Sequence, residues 1–389
     1  MDKKILIIAS VLLFFVSTYF SFDYFKNSPT SGQAPQKASE EYKSPVTNDA
    51  GEVETNEPKT ESCPLNGEML TKTHKDKWEK RRPLAMMVEN STDARPQSGL
   101  NSADIIYEAV AEGGITRFMA MFYCHDAPYI GPVRSARVYY IELLQQYGAS
   151  PLYGHVGGAN TPGPADALGL IRKLKWAGYN DLNQFAVPFP YYYRDYDRLP
   201  DRATEHTVYT STKKIWEYAE KKRKLTATDA KGVTWDTGFK PWTFTDDAPA
   251  TSPTASSVRF HFWDNNKGDF EVIWNYDQAT NSYKRTNGGS PHLDKNTSKP
   301  LTAKNIAVML TPETFVNDGY DAGRHMMYKT VGAGKALVFQ NGEVKEGNWR
   351  RSKVTDRLEF IDKTGKMINM VKGKVFVELL PATNKVDFQ

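Results

Sequence analysis

The chain has 389 residues, 40% hydrophobic and 12% aromatic, which is typical of a globular protein too long for one ordinary core. Its 50 basic and 46 acidic residues are interspersed and give a formal charge of only +4, which argues against a nucleic-acid partner. The two cysteines, Cys63 and Cys124, lie outside any CxxC spacing, which argues against a disulfide framework or a structural zinc site. One disulfide between them and two free thiols are both open alternatives.

The N-terminus carries a membrane signal. Residues 5–22 form an uncharged, mostly apolar run that is preceded by Lys3 and Lys4 and is long enough to span a bilayer. No A-x-A-like cleavage site follows it, and no cysteine closes it as a lipid attachment site would. We therefore predict that residues 1–25 are a signal anchor. This transmembrane helix would make the chain a single-pass cell-membrane protein with extracytoplasmic C-terminal domains.

Residues 26–80 are predicted to be a disordered tether. The stretch 28–61 is rich in Ser, Thr, Pro, Asn, Glu and Lys, and Tyr42 is its only aromatic residue. Such a composition cannot bury enough apolar surface to offset the entropy lost on ordering. Residues 63–80 are a basic lead-in to the folded region.

Residues 81–225 are predicted to form an N-terminal α+β domain, a mixed sheet with flanking helices. Glu112-Gly113-Gly114 is a tight hairpin signal between two apolar runs. Apolar patterning predicts strands at 83–89, 103–111, 115–123 and 151–156, and helices at 135–147, 163–176 and 212–223.

The C-terminal part has a different pattern. Residues 226–257 are polar and predict a linker. Residues 258–389 predict a smaller β-rich domain, in which Asn341-Gly342 and Thr364-Gly365 mark hairpin turns. The predicted fold class is therefore α+β.

Charged residues concentrate around the predicted hairpin. Glu108 alternates with apolar residues and can point inward, while Glu112 and Arg117 flank the Gly-Gly turn. A partly buried carboxylate beside arginine can act as acid, base or ligand contact. The alternative is an internal Glu–Arg pair that fixes the hairpin.

A second candidate is GPVRSAR, residues 131–137. Ser135 is a predicted N-cap, and Arg134 and Arg137 flank this positive helix end, so an anion such as phosphate or carboxylate is the expected ligand. The alternative is that both arginines pair with acidic residues inside the fold.

Further candidates lie at other turns. His155 precedes Gly157-Gly158 and is a catalytic candidate together with Glu108, although a lone histidine is more often a hydrogen-bonded structural residue. Arg95, His206 and Arg350 are additional ligand-binding candidates. HExxH, GxSxG, P-loop and GxGxxG motifs are absent, so no metal and no cofactor is predicted.

Several stretches together resemble a known family. RPLAMMVENSTDARPQSGL, ADIIYEAVAEGGITRFMA, IGPVRSAR and HVGG, with GKALVFQNGEVKEGNWRR and FIDKTG later, resemble the YerB family of bacterial lipoproteins, built on a domain of unknown function. The resemblance covers residue 82 onward and implies an exported, envelope-associated protein with two structured halves and no established reaction. The chain departs from the family in two places. Cys63 lies far beyond the apolar run, and ATEH at 203–206 replaces an APHN-like segment.

The sequence therefore supports two functions. The first is a membrane-anchored binding module of the cell envelope that recognises an anionic group, with an envelope polymer or a protein as its partner. The second is a hydrolase or transferase acting on an envelope glycan or a phosphate-containing polymer, with Glu108 and His155 as acid and base.

Overall fold

Short strands and short helices make up the described part of the chain, residues 56–319 and 324–389 of a computed structural model. The strands of the first half are β1 (Lys59–Ser62), β2 (Met69–Thr71), β3 (Leu84–Glu89), β4 (Ile105–Glu112), β5 (Ile115–Phe122), β6 (Leu152–His155), β7 (Asp181–Asn183), β8 (Tyr193–Arg194) and β9 (Val208–Tyr209). Those of the second half are β10 (Phe244–Thr245), β11 (Ser257–Phe260), β12 (Val272–Asp277), β13 (Ser282–Asn287), β14 (Ser290–Pro291), β15 (Thr302–Ala303), β16 (Asn305–Thr311), β17 (Glu313–Val316), β18 (His325–Tyr328), β19 (Gly332–Gln340), β20 (Glu343–Arg351), β21 (Glu359–Asp362), β22 (Met370–Val371), β23 (Val375–Pro381) and β24 (Asp387–Phe388).

The helices are brief. They are α1 (Lys72–Trp78), α2 (Val138–Leu144), α3 (Ala167–Lys173), α4 (Thr212–Tyr218), continued by a π-helical segment (Ala219–Arg223), and α5 (Lys267–Phe270). Within the described ranges no helix is long and apolar enough to cross a membrane. The predicted anchor, residues 1–25, lies outside these ranges.

The central sheet takes strands from both halves of the chain. Its order is β21-β20-β19-β16-β23-β4-β5-β3-β6-β7. β4 and β5 form the predicted antiparallel hairpin, and Gly113 and Gly114 supply the positive φ angles of 55° and 82° that its tight turn needs. β23 runs parallel to both β4 and β16. A C-terminal strand therefore lies in the middle of the sheet, and the two halves share one core.

A second sheet packs on this core. Its order is β14-β13-β12-β11-β24, with β15 paired to β13. Trp274 of β12 meets Phe376 of β23 edge to face at 4.8 Å between ring centroids, and Phe376 also meets Phe118 of β5 at 6.4 Å. Full burial of a phenylalanine side chain contributes about 1.5–3 kcal/mol. The predicted α+β class is confirmed, with a mixed sheet and a β-rich second half.

Residues 59–78 belong to this folded body, although their composition predicts a tether. β1 and β2 form an antiparallel hairpin, and α1 follows directly. Cys63, just after β1, is bonded in a disulfide to Cys124, just after β5, across a sequence separation of 61. The few apolar side chains of the segment are buried, among them Leu65, Leu70 and Trp78. The average composition of the segment does not reveal these side chains, because they are few, although each of them is buried in the core.

The helix predicted over residues 135–147 is shorter than expected. α2 begins only at Val138, and its N-cap is Arg137 rather than Ser135. The preceding residues are extended because they pair with the segment after β6. The Val156 N–H donates to the Arg134 carbonyl, and the Ala136 N–H to the Gly157 carbonyl, both at 3.0 Å. The predicted N-cap role of Ser135 is therefore wrong. The helix predicted over 163–176 is likewise shortened to α3.

Residues 226–257 are packed against the body, although their polar composition predicts a linker. Trp235 and Trp242 are buried, and the Trp242 Nε1–H donates to the Leu358 carbonyl at 2.7 Å. β10 pairs in parallel with β22. Burial of the two tryptophans anchors this segment although the surrounding residues are polar. The segment therefore packs against the folded body and does not form a free linker.

Candidate functional site

A cavity lined by arginines lies where the β4–β5 hairpin meets the extended segment before α2 and the segment after β6. Its volume is about 240 Å³. The lining residues are Glu112, Arg117, Arg134, Ser135, Arg137, Gly158, Ala159, Asn160, Thr161 and His325. The first five of these are ligand-binding candidates from the sequence. We call this space the arginine cavity.

Glu112 holds two of the arginines in place. Arg117 Nη2 donates to one carboxylate oxygen at 2.6 Å, and Arg137 Nη2 donates to the other at 2.8 Å. Burial acts to raise the pKa of Glu112, but the charges of Arg117, Arg137 and Arg134 outweigh it and the pKa is lowered. Glu112 is therefore ionised at neutral pH. It orients the guanidinium groups and is not suited to act as an acid.

Arg134 is the most accessible of the three arginines, with 24% of its side chain exposed. Its Nε lies 3.3 Å from Oε2 of Glu89, and the same oxygen lies 2.9 Å from Nδ1 of His206. His206 therefore sits behind Arg134, paired with Glu89, and is not among the cavity-lining residues. It supports the site without facing it.

The lining carries an excess of positive charge. Three guanidinium groups line it, against the carboxylate of Glu112 and that of Glu89 behind Arg134. The alternative from the sequence, that Arg134 and Arg137 pair with acidic residues, is therefore met, but one positive charge remains in excess. The Nε of Arg117 is buried and has no hydrogen-bond partner among the described residues. Arginine presents its N–H groups in a planar fork that matches phosphate and carboxylate oxygens. Chemically, the cavity is suited to an anion.

Glu108, a catalytic candidate, lies in the core and not in this cavity. It is fully buried and accepts hydrogen bonds from Thr116 Oγ1 at 2.6 Å and Asn90 Nδ2 at 3.1 Å. Arg285 Nη2 also donates to it, at 2.6 Å. The internal Glu–Arg pair weighed from the sequence is present in the hairpin between Glu112 and Arg117, whereas Glu108 pairs with Arg285 of β13.

His155, the other catalytic candidate, is also fully buried. Its Nδ1 lies 2.6 Å from the Gly157 carbonyl oxygen, and its Nε2 lies 2.6 Å from Oδ1 of Asp181. Both ring nitrogens are thus engaged within the fold. Neither His155 nor Glu108 is among the described residues that line the arginine cavity, so the structure does not bring the predicted acid–base pair to the arginines.

The two remaining candidates lie elsewhere. Arg95 donates to Oδ1 of Asn90 at 3.1 Å and to the Asp269 carbonyl at 2.8 Å, and it lines a separate cavity of about 280 Å³. Burial lowers the pKa of Arg95 to about 10. Arg350 of β20 forms a half-exposed ion pair at 2.6 Å with Glu359 of the neighbouring strand β21.

Several residues of the cavity and of the core were not predicted from the sequence. Asn160 and Thr161 lie two and three residues after the YGHVGG stretch, and this closeness is the signal that points to them. Glu378 is the one charge within the apolar run VFVELL, a pattern that marks a buried, paired carboxylate. Among the described residues, one group has metal-ligand chemistry, Cys63, Asp104 and Cys124, but both sulfurs are joined in the disulfide.

The fold and the cavity define an α+β protein whose two halves share a sheet and enclose an arginine-lined site. Residues 70–226 match the model "Protein of unknown function (DUF3048) N-terminal domain", and residues 258–377 match the corresponding C-terminal domain. The chain is 31% identical over 302 residues to "Putative lipoprotein YerB" of Bacillus subtilis (strain 168), covering 77% of this chain and 82% of that protein. It also resembles the crystal structure of the Bacillus subtilis YerB protein, with a TM-score of 0.66, 29% identity and coverage of 84% and 100% of the two chains. The chain belongs to this YerB-like family of unknown function, as the sequence motifs predict.

Proposed function

We propose that the protein is a binding module that takes up a phosphate or carboxylate group in the arginine cavity. The observation that carries this proposal is that three guanidinium groups line a partly enclosed space against only two carboxylates, those of Glu112 and Glu89. A partially buried guanidinium interacts with an anion more strongly than a solvated one, because water competes less for its N–H groups. The buried, unpartnered Nε of Arg117 adds a donor that the described protein groups do not satisfy.

Binding has more support than hydrolysis or group transfer. The hydrogen-bonding groups of Glu108 and His155 are engaged by other residues within the fold. Glu112 is ionised and held by two arginines, so it is a poor proton donor. A hydrolase acting on an envelope polymer would need an acid or a base that faces the cavity. Apart from Glu112, the described lining residue that could supply one is His325, whose Nδ1 lies 2.7 Å from Oδ2 of Asp318.

A thermal-shift and calorimetric titration of the detergent-solubilised full-length chain tests the proposal. Inorganic phosphate, added at constant ionic strength against chloride, should raise the Tm and give a saturable binding curve. Arg134→Gln should abolish both effects while leaving the Tm of the ligand-free chain nearly unchanged, because Glu89 keeps His206 as a partner.

Arg350→Gln is the matched control, since it removes an arginine from an ion pair outside the cavity. It should bind phosphate as the wild type does. An equal phosphate response in the wild type and in Arg134→Gln would refute the proposal.

We also propose that the chain works at the extracytoplasmic face of the cell membrane, held by residues 1–25. The relative named a lipoprotein supports an envelope location, and the Cys63–Cys124 disulfide suits an oxidising compartment. In cell fractionation the chain should stay in the membrane pellet after alkaline carbonate extraction, and protease added to intact protoplasts should digest it. A chain that fractionates with the cytosol and resists protease would contradict this location.

A further inference from the structure

We infer that the ligand is a sugar that carries a phosphate or carboxylate, with its ring packed on Phe185 and its charged group in the arginine cavity. This inference rests on the proposed function and adds the chemical class of the ligand. It follows from an exposed aromatic side chain, from the contacts that hold it, and from the neutral polar part of the cavity lining.

Phe185 is an aromatic ring held in solvent. It is 77% exposed, the largest value among the large hydrophobic side chains of the described residues. Burying a phenylalanine side chain typically contributes about 1.5–3 kcal/mol, so an exposed ring leaves that contribution unused by the fold. Aromatic faces provide flat contact area at a low cost in conformational entropy, which makes such a ring suited to ligand contact.

The backbone that carries the ring is held beside the cavity. Oδ1 of Asn183 accepts the N–H of Gly157 at 3.0 Å and the N–H of Phe185 at 3.3 Å. A Cβ added to Gly157 would lie only 3.2 Å from Cε2 of Phe185, and Gly157 has a φ of +59°. The next residue, Gly158, lines the arginine cavity. The exposed ring of Phe185 therefore lies beside Gly157, the residue that precedes Gly158 of the cavity lining.

His155 acts here as a positioning residue. Its two ring nitrogens join the Gly157 carbonyl to Asp181, and its own carbonyl accepts the N–H of Gln184 at 2.8 Å. The turn at Gly157 and the segment that carries Phe185 are therefore tied to the same strand end. His155 therefore helps to shape the site, although it is buried and does not line the arginine cavity.

The rest of the lining suits hydroxyl groups. Ser135, Asn160 and Thr161 add hydroxyl and amide groups beside the arginines. Among the described lining residues, Ala159 is the only one with an aliphatic side chain. An acyl chain would find almost no apolar wall there. A sugar ring offers hydroxyls for these polar groups and a C–H face for Phe185, which is why we favour a sugar over a lipid.

Titrations of the full-length chain with four probes test the inference. The probes are inorganic phosphate, glycerol 3-phosphate, hexyl phosphate and a set of hexose 1-phosphates, all at constant ionic strength. The best hexose 1-phosphate should bind about fivefold tighter than inorganic phosphate, a typical gain for one aromatic contact. Phe185→Ala should remove this preference and leave the affinity for phosphate unchanged, whereas Phe185→Trp should keep it.

Two further comparisons separate ligand contact from structural damage. Phe189 is 74% exposed and lies four residues further on, so Phe189→Ala is the matched control and should leave every affinity unchanged. Asn183→Ala should lower the preference for the sugar without changing phosphate binding. Asn183→Asp, which keeps the oxygen that accepts both N–H groups, should restore the preference.

Each alternative outcome has a distinct meaning. If hexyl phosphate binds tighter than every hexose phosphate, and both Phe185→Ala and Phe189→Ala weaken it, the ligand is a lipid and the inference is overturned. If all hexose phosphates bind only as tightly as inorganic phosphate, the sugar contact is refuted while the anion site stands. If inorganic phosphate itself does not bind, the proposed function fails and this inference fails with it.

Discussion

Nη2 of Arg285 lies 2.6 Å from Oε2 of Glu108, and both side chains are fully buried. Arg285 belongs to β13 of the second sheet and Glu108 to β4 of the central sheet, so this ion pair joins the two sheets. Nη1 of Arg285 also lies 2.8 Å from Oε1 of Glu378. Glu378 is paired in register with Glu108, because β23 runs parallel to β4. One guanidinium group therefore faces two carboxyl groups in the core.

Neutral polar groups complete this network. Nε of Arg285 donates to Nδ1 of His292 at 3.1 Å, and Nε2 of His292 lies 2.7 Å from Oε1 of Gln97. Burial and the charges of Arg285 and Arg95 lower the pKa of His292 well below its ordinary value. The ring is therefore neutral, with its proton on Nε2, where it donates to Gln97.

Replacing Arg285, the central cation, should lower the free energy of unfolding of the chain. Arg285→Met leaves Glu108 and Glu378 buried without their shared partner, and breaking a buried pair in this way typically costs about 3–5 kcal/mol. Urea denaturation of the full-length chain measures the loss. Arg350→Met removes an arginine from an exposed pair and should cost less than about 1 kcal/mol. Equal losses in the two variants would show that the buried network is not a main source of stability.

The pH dependence of stability should report Glu378. Burial and the neighbouring charge of Glu108 raise the pKa of Glu378 well above the ordinary 4.5. The folded chain thus holds this proton more tightly than the unfolded chain, so stability falls as the pH rises from about 4.5 towards the raised pKa. Glu378→Gln stays neutral at every pH and should escape this loss. As the pH rises from 5 to 8, the Tm of the variant should increase relative to that of the wild type. A constant difference in Tm over this range would contradict the raised pKa of Glu378.

The disulfide should contribute stability by restricting the unfolded chain. Cys63 and Cys124 close a loop with a sequence separation of 61, for which loop-closure entropy predicts about 4 kcal/mol. Replacing both cysteines with alanine should lower the Tm, and dithiothreitol should lower the Tm of the wild type by a similar amount. Dithiothreitol must leave the double variant unchanged, because that variant has no bond to reduce.

Glu112→Gln should separate binding from stability in the arginine cavity. The carboxylate occupies N–H groups of Arg117 and Arg137 that an anion would otherwise use, so the variant should bind inorganic phosphate more tightly, roughly two- to tenfold. It should also be less stable without ligand. Because the pKa of Glu112 is lowered, its stabilising contribution is present above the ordinary pKa of 4.5 and is lost as the pH falls through the lowered value. Weaker phosphate binding in the variant, measured by calorimetry, would argue against an anion at these arginines.

Local patterns in the sequence were enough for the hairpin and for part of the site. The Gly-Gly turn between two apolar runs predicts β4 and β5, because the turn and the strands that it joins are adjacent in the chain. Glu112 and Arg117 flank that turn, and Arg134 and Arg137 follow within a short stretch, so their grouping was accessible as well. The motifs that carry the family resemblance are equally local.

The tertiary structure decided the rest. Arg285 and Glu108 are 177 residues apart, and β23 enters the sheet beside β4 from the far end of the chain. Such pairings depend on sheet register and on the need of each buried charge for a partner. A local pattern can mark a buried charge such as Glu378, but it does not identify the partner. The same holds for Ser135, whose helix start was lost to backbone pairing with residues 156–158. By itself, therefore, the sequence determined the strands of the β4–β5 hairpin, the family and the charged residues near that hairpin. Only long-range packing determined that Glu108 and His155 support the fold while the arginines line a cavity.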